Sequence, residues 1–364
     1  MTLDDLAAYQ TTLLQFVGPE KTTEQNAAGR VRPLTDVEKA WLAGVIDGEG
    51  SIFITKITPK TAHHRRGFYY SARLEIANSN PQFLLRVLEL LGKGSTSLNK
   101  ERRLDWKDKW QYTGYTTVLK QLLPQILPYL VVKRKVAEKM LEYLAFADAN
   151  QIDGPMDIPE GHYEKVDAFY HVIRKLNEKG SGGLRDNGDS MPLPAWVEGR
   201  GTGHRAKNCR TLTEPERAWL AAIIDGEGTI MLSKRKCSAA RRGFYYIPSL
   251  EITNSNKALL IKILVMIGEG GVYPDRRSEG NPRWKKKWIY NGSAGLMRVI
   301  LPQILPFLII KKEQAKTMLE YLQYVRDNPI VGLKVIPAGY YDRIDHLYMA
   351  LKKMNEKGKG AGIM

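Results

Sequence analysis

Apolar and polar residues alternate along residues 51–57 and 67–78, which is the period of a β-strand with one buried face. Ile52, Ile54 and Leu74 fall on the apolar side, and the residues between them are mostly polar, charged or aromatic. Residues 106–112 alternate in the same way. The pattern predicts β-hairpins that form a sheet with one apolar face and one polar, partly basic face.

Helices are predicted before and after these hairpins. Thr35 followed by Glu38 is a capping-box pattern that begins a helix, and the apolar run that follows has to end near Gly48 and Gly50. Further helices are predicted at residues 81–91, 133–146 and 162–179. The order of these elements defines an α+β domain, written αββαββα, whose helices cover the apolar face of the sheet.

The whole arrangement occurs twice in the chain. WLAGVIDGEGS begins at Trp41 and WLAAIIDGEGT at Trp219, and the match continues through LEIANSN and LEITNSN, LPQILPYL and LPQILPFL, and two copies of NEKG. The separation is the size of a domain and far exceeds a solenoid unit. We therefore expect an N-terminal extension at residues 1–34, a first repeat at 35–180, a linker at 181–212 and a second repeat at 213–364.

The charge balance indicates a polyanionic partner. The 364 residues include 55 Lys and Arg against 39 Asp and Glu, a formal net charge of +16. Such an excess points to nucleic acid or an anionic membrane as the partner, with a merely solvated basic surface as the alternative. The two cysteines are not spaced as zinc ligands. Neither a signal peptide nor a membrane span is predicted, which favours an intracellular protein without membrane association.

The first helix of each repeat is apolar on all sides, so we expect it to be buried on every side. Small residues, Ala43 and Gly44, allow another helix to approach closely, and the helix of the other repeat is the obvious partner. Packing about a pseudo-twofold axis would bring Glu49 close to Glu227. Adjacent carboxylates repel each other unless a cation lies between them, and oxygen ligands favour Mg²⁺ or a similar ion. The alternative is that the acidic and glycine cluster is only a polar helix end.

The motifs LAGVIDGEG and LAAIIDGEG resemble the signature of the LAGLIDADG homing endonucleases, and their duplication resembles the single-chain members of that family. The resemblance implies a monomer with pseudo-twofold symmetry whose two antiparallel sheets form a DNA-binding saddle. It implies Mg²⁺ as the cofactor, with Mn²⁺ or Ca²⁺ able to substitute in binding. The metal ligands that it implies are the carboxylates of Glu49 and Glu227 and the carbonyl oxygens of Gly48 and Gly226.

The same resemblance places further residues in each centre. Relatives carry a lysine after the second hairpin, before the next helix, and a polar residue near the end of the second strand that positions water. The lysines of this sequence are Lys133 and Lys311, which could alternatively be plain helix-start lysines. For the polar residue, Glu75 and Glu251 are the first choice, with a solvated strand face as their alternative. Asn78 and Asn254 are the second choice, with a strand-end turn as theirs.

The polar sheet face is expected to read double-stranded DNA, because a twisted antiparallel ribbon fits the major groove. Arg73 can address a guanine edge, and Ser249 stands at its place in the second repeat, so the halves are expected to read different sequences. A solvated face is the alternative at any single position. The predicted contacts are Ser51, Phe53, Thr55, Arg65, Arg66, Tyr69, Ser71, Arg73, Glu75, Lys107, Lys109, Gln111, Thr229, Met231, Ser233, Arg241, Arg242, Tyr245, Ser249, Glu251, Lys285 and Lys287.

These features together favour a site-specific double-strand DNA endonuclease of intron or intein homing with a long, asymmetric target. The second hypothesis is a non-catalytic nucleic-acid binder on the same scaffold, either an RNA maturase or a transcription regulator, and the third is a structural basic protein. The presence of both motif acids favours the enzyme over a binder. The sequence leaves open whether the protein acts in an organelle, chloroplast or mitochondrion, or in a prokaryotic cytoplasm.

Overall fold

The computed structural model describes residues 31–59, 66–99, 108–150, 158–178, 209–276, 286–330 and 336–356. Most of the predicted N-terminal extension and linker lie outside these ranges. The first half consists of α1 (Asp36–Glu49), β1 (Gly50–Ile57), β2 (Tyr69–Asn78), α2 (Pro81–Leu91), β3 (Ser95–Asn99), β4 (Lys109–Tyr115), α3 (Thr116–Ile126), a 3₁₀ turn (Leu127–Tyr129), α4 (Arg134–Ala149) and α5 (His162–Asn177).

The second half repeats this order element by element. It consists of α6 (Glu214–Glu227), β5 (Gly228–Lys236), β6 (Phe244–Asn254), α7 (Lys257–Ile267), β7 (Gly271–Pro274), β8 (Trp288–Gly292), α8 (Ala294–Ile304), a 3₁₀ turn (Leu305–Phe307), α9 (Lys312–Asp327) and α10 (Tyr340–Met354). Each half therefore begins with the motif helix and leads directly into a hairpin.

Each half contains a four-stranded antiparallel sheet, in the orders β1-β2-β4-β3 and β5-β6-β8-β7. Ile52, Leu74, Ile76 and Tyr112 are fully buried on the helical side of the first sheet, and the residues between them in sequence are more exposed. The alternation in the sequence therefore identified the buried face correctly. The predicted α+β class with two pseudo-symmetric halves is confirmed.

Each half also contains a helix that the sequence pattern did not predict, α3 in the first half and α8 in the second. Pro124 lies inside α3, and proline is unfavourable within a helix. The proline stands near the carboxyl end of the helix, where it removes one hydrogen bond and leaves the first two turns intact. The buried side of α3 is formed by Val118, Leu119, Leu122, Leu123 and Ile126.

The two halves meet along the motif helices α1 and α6. Their backbones approach so closely that a Cβ added at Gly44 would lie 2.7 Å from the carbonyl oxygen of Trp219 and 2.9 Å from the Cβ of Ala222. Every residue is buried from Ala40 to Asp47 in α1 and from Ala218 to Asp225 in α6. Within the described ranges, every helix is too short or too polar to span a lipid bilayer.

Candidate active centre at the ends of the motif helices

Both motif helices end on their glutamate and pass into a strand without an intervening loop. The Gly50 amide donates to the Ile46 carbonyl while Gly50 itself is already extended, with φ −87° and ψ 155°. A Cβ at Gly50 would lie 2.7 Å from the Ile46 carbonyl oxygen, and Gly228 is equally close to Ile224. The last glycine of each motif is therefore a steric requirement of the abrupt change from helix to strand.

The two glutamates face each other across the helix pair. A Cβ added at Gly226 would lie 3.2 Å from the Cγ and 3.5 Å from an Oε1 of Glu49, and one added at Gly48 would lie 3.8 Å from the Cγ of Glu227. Gly226 thus makes room for the Glu49 side chain, and Gly48 lies within van der Waals reach of Glu227. The structure places the four residues predicted as metal ligands in one small region between the halves.

Burial changes the acidity of both glutamates. It raises the pKa of Glu49 to about 7; the negative charge of Glu227 adds to the increase, and the charge of Lys311 opposes it. Burial also raises the pKa of Glu227, against the positive charges of Lys287, Lys311 and Lys133. The protein alone therefore holds a proton here near neutral pH, and a cation binding both carboxylates would displace it.

An asparagine lies beside each glutamate. Asn78 Nδ2 donates to Glu49 Oε1 at 3.3 Å, and Asn254 Nδ2 donates to Glu227 Oε1 at 3.2 Å. The same side chains accept the backbone amides of Asn80 and Asn256 at 2.8 Å through Oδ1, which orients each Nδ2 toward its acid. The asparagines, the second choice from the sequence, are therefore the polar strand-end residues that the structure brings to the acids.

Glu75, the first choice for that role, lies on the polar sheet face instead. Its carboxylate is 4.0 Å from Arg73, and its counterpart Glu251 accepts from Asn291 Nδ2 at 3.4 Å. Both glutamates share the side of the strand that faces away from the buried core. We therefore revise their predicted water-positioning role and retain them only as candidate DNA contacts.

The first acid of each motif organises a loop instead of facing the centre. Asp47 is buried and accepts the backbone amides of Val131 and Lys133 at 2.7 and 2.9 Å. Asp225 accepts those of Ile309, Ile310 and Lys311 at 2.7, 3.0 and 2.8 Å in the second half. Burial raises the pKa of both aspartates to about 6, although the amide donors oppose the change.

These loops present the two predicted lysines to the centre. Lys133 immediately precedes α4 and Lys311 immediately precedes α9, and Lys133 is only 7% exposed. Lys311 Nζ donates to the Asp225 carbonyl at 3.0 Å. Burial lowers the pKa of Lys311, while the charges of Asp225, Glu49 and Glu227 raise it. The Lys311 ammonium group is therefore electrostatically coupled to the acids of both halves.

The donor set fits a magnesium-like ion. No cluster of three or more His, Cys, Asp or Glu side chains suited to a metal occurs in the described ranges. Mg²⁺ commonly takes one or two carboxylates from a protein and keeps several waters, so two facing glutamates with adjacent backbone are sufficient. The fit rests on Glu49 and Glu227; Asp47 and Asp225 are already engaged by backbone amides.

The polar sheet faces carry most of the predicted DNA contacts at exposed or half-exposed positions, with Ser249 buried at 7% exposure. Arg65, Lys107 and Lys285 lie outside the described residues. Lys109 and Lys287 are exposed, and their charges also act on the motif glutamates. The sequence had assigned these two lysines to DNA alone.

Two predicted DNA contacts, Arg66 and Arg242, are held by the helices instead. Arg66 Nη2 lies 2.5 Å from Asp167 Oδ2, and the Tyr70 hydroxyl donates to the same carboxylate at 2.8 Å. Arg242 pairs with Asp345 in the corresponding way. Tyr70 shares the helical side of β2, so these pairs tie the hairpin to the last helix of each half. We therefore revise the predicted DNA contact of both arginines.

Comparison with known proteins agrees with this geometry. The family profile described as LAGLIDADG endonuclease matches residues 42–150. The structure of I-SmaMI bound to uncleaved DNA target in the presence of calcium ions is similar, with 17% identity and a TM-score of 0.59 over 88% of this chain and 99% of that chain. The I-LtrWI LAGLIDADG homing endonuclease bound to target DNA shows 14% identity and a TM-score of 0.58 over 86% and 96%. No curated protein sequence matches the chain.

The family profile matches residues 42–150 within the first half, and the second half repeats the sequence motifs and the sheet order of the first. The chain is therefore similar to the LAGLIDADG endonucleases, and it has the fold of the structures of I-SmaMI and I-LtrWI.

Proposed function

We propose that this chain is a divalent-metal-dependent endonuclease that cuts both strands of a long, asymmetric DNA site, and that it acts in intron or intein homing. The observation that carries the proposal is the meeting of Glu49 and Glu227 at the adjoining ends of the central helices. Two strands require two sets of reacting groups, and the pseudo-symmetric halves supply one acid, one asparagine and one lysine each. I-SmaMI and I-LtrWI are described as bound to target DNA, which supports the same substrate here.

Each residue type has a distinct task in this proposal. Glu49 and Glu227 would hold Mg²⁺, which when bound would supply Lewis-acid polarisation of a phosphate and a more acidic water. The asparagines fix the orientation of the carboxylates through Nδ2. The lysine ammonium groups place positive charge where negative charge develops on the phosphate. Mn²⁺ and Ca²⁺ also prefer oxygen ligands and are expected to replace Mg²⁺ in binding.

DNA is proposed to lie on the polar faces of both sheets, next to the acids. The exposed Lys109 and Lys287 link the two regions, because their charges reach the glutamates. A net charge of +16 favours a phosphate backbone. The halves are proposed as residues 35–180 and 213–364 with the linker 181–212 between them, acting as a monomer.

The test is cleavage of a random duplex library by the full chain in Mg²⁺. We expect a set of related sequences to be cut on both strands, and Glu49→Gln or Glu227→Gln to abolish cutting of at least one strand while DNA affinity changes little. Glu142→Gln, on the exposed side of α4, is the matched control and should cut normally. Undiminished double-strand cleavage by either motif variant would refute the assignment.

Two further outcomes separate the competing hypotheses. Sequence-specific binding without any cleavage in Mg²⁺, Mn²⁺ or EDTA would support the non-catalytic binder. Affinity should fall steeply with salt, because contacts to several phosphates release counterions. A flat salt response would contradict a DNA surface on the basic sheet faces.

A further inference from the structure

The polar sheet face of the first half contains one guanidinium that its neighbours hold in place. Arg73 lies on the interior strand β2, opposite Phe53 on β1 and Tyr115 on β4. Its Cζ is 5.6 Å from the centre of the Tyr115 ring, which is 46% exposed. The Arg73 side chain is 27% exposed. An aromatic face beneath a guanidinium restricts its motion and leaves its outer edge available.

The hydrogen-bonding capacity of Arg73 is largely uncommitted. Its Nε is buried and has no hydrogen-bond partner within the described residues. The exposed edge of the guanidinium is therefore formed by the two terminal nitrogens. Glu75 Oε1 lies 4.0 Å from Nη1, at the outer limit of an ion pair. A bidentate pair with Glu75 would occupy this edge, and it is not formed.

The second half lacks this arrangement. Ser249 stands where Arg73 stands in the first half and is buried. Ser293, at the place of Tyr115, accepts the Leu296 amide at 3.3 Å as a helix cap and donates to Glu269 at 3.2 Å. Both positions are thus used inside the half, and neither offers a forked donor to a groove.

A forked pair of N–H donors matches the O6 and N7 acceptors of guanine in the major groove, and a carboxylate can accept from the N4 of cytosine. Arg73 and Glu75 are two residues apart on one face of one strand, so they present both groups side by side. Base recognition by a preoriented Arg fork is more selective than contact by a flexible lysine.

We propose that Arg73, positioned by Tyr115 and Glu75, reads a guanine in the half-site bound by the first half, and that the other half-site has no matching requirement. The inference rests on the proposed DNA endonuclease function. Five residues separate Arg73 from Asn78 at the acids, or roughly 17 Å along a strand. With a rise of about 3.4 Å per base pair, the guanine lies about five base pairs from the nearer cut.

The test uses the cleaved duplexes recovered from a random library in Mg²⁺ by the wild-type chain and by R73K, which keeps the charge and loses the fork. We expect the wild-type set to show a guanine about five base pairs from one cut only, and R73K to lose that preference. Replacing this guanine should slow wild-type cleavage roughly 5- to 150-fold and R73K cleavage far less. R326K, an exposed Arg on α9, is the matched control and should keep the preference.

Each other outcome is decisive. Cleavage without a guanine preference on one side overturns the role of Arg73 and leaves the endonuclease intact. Equal slowing of R73K on all duplexes indicates a phosphate contact and also overturns it. A complete absence of cleavage by the wild-type chain overturns the proposed function, and this inference with it.

Discussion

The two halves are almost identical where they meet and differ where they face outward. The asparagine-to-glutamate hydrogen bonds are 3.3 and 3.2 Å long. The first backbone amide that donates to each motif aspartate lies 2.7 Å from it in both halves. On the polar sheet face, by contrast, Arg73 and Tyr115 correspond to Ser249 and Ser293. Under the proposed function, the same kind of bond is cut in both strands while the bases on the two sides of the target differ, so the residues that read bases have reason to diverge.

The duplication therefore separates structural residues from recognition residues within one chain. The ion pairs Arg66–Asp167 and Arg242–Asp345 occur in both halves, each with a tyrosine donating to the same aspartate. A basic residue repeated together with its acidic partner stabilises the fold. A basic residue on the sheet face without a counterpart, such as Arg73, is a better candidate for reading sequence.

We expect the largest effect on the cleavage rate from replacing the two lysines of the centre. The charge of Lys311 acts on both Glu49 and Glu227, and the charge of Lys133 acts on Glu227. Lys311→Met should therefore slow cleavage of both strands, roughly 100- to 1000-fold, as removal of one charge-stabilising donor commonly does. Lys133→Met should slow cleavage of the strand cut beside Glu227 by a similar factor. A duplex with differently labelled strands measures both rates in one reaction.

The lysine variants need a control for folding, because both side chains are largely buried. Thermal melting and DNA affinity of each variant should stay close to wild type, with methionine retaining the length of the stem. Undiminished cleavage of both strands by either lysine variant would contradict the proposed role of that lysine.

The helix interface provides the second prediction, of intermediate size. A methyl group at Gly44 would lie 2.7 Å from the Trp219 carbonyl oxygen and 2.9 Å from Ala222 Cβ. We expect Gly44→Ala to destabilise the protein by about 1–3 kcal/mol through overpacking, measured by urea unfolding. Adding Ala222→Gly should restore only part of that stability, because the methyl contact disappears and the carbonyl contact remains. Full recovery in the double variant would show that the backbone approach is not limiting.

Most of the fold was predictable because its signals are local. Periods of two and the capping boxes identified strands and motif helices, and the repeated acids identified the centre. The sequence ranked Asn78 only second for the centre, although Asn78 shares the helical side of β2 with Leu74 and Ile76 and turns toward the helix end that carries Glu49. Glu75 points to the opposite side of β2 and therefore cannot reach Glu49. The sequence alone did not show on which side of the sheet the motif acids lie.

Long-range partners account for the other differences. Arg66 looked free in the sequence because Asp167, which binds it, lies 101 residues later. Asp47 looked like part of an acidic cluster because the loop amides that engage it are 84 and 86 residues away. Helix α3 was hidden by Pro124, whose cost depends on its position within a helix that the pattern did not delimit.

The smallest predicted effect is a pH dependence of the melting temperature caused by Glu49. Burial raises the pKa of Glu49 to about 7, so the stability associated with its protonated form is complete below about 4.5 and is lost as the pH rises through 7. In EDTA, we expect the melting temperature to fall by roughly 2 °C between pH 5 and pH 8. Glu49→Gln should remove no more than about half of that slope, because Asp47 and Asp225, whose pKa values are raised to about 6, and Glu227, whose pKa is also raised, contribute the rest.

Adding Mg²⁺ sharpens this comparison. Since the ion has to displace the proton, it should raise the melting temperature more at pH 8 than at pH 5. Glu49→Gln and Glu227→Gln should both reduce the stabilisation, because each removes one of the two proposed ligands, while Glu142→Gln should not. A Mg²⁺ effect that is equal at both pH values, or unchanged in the two motif variants, would mean that the ion binds elsewhere on the protein.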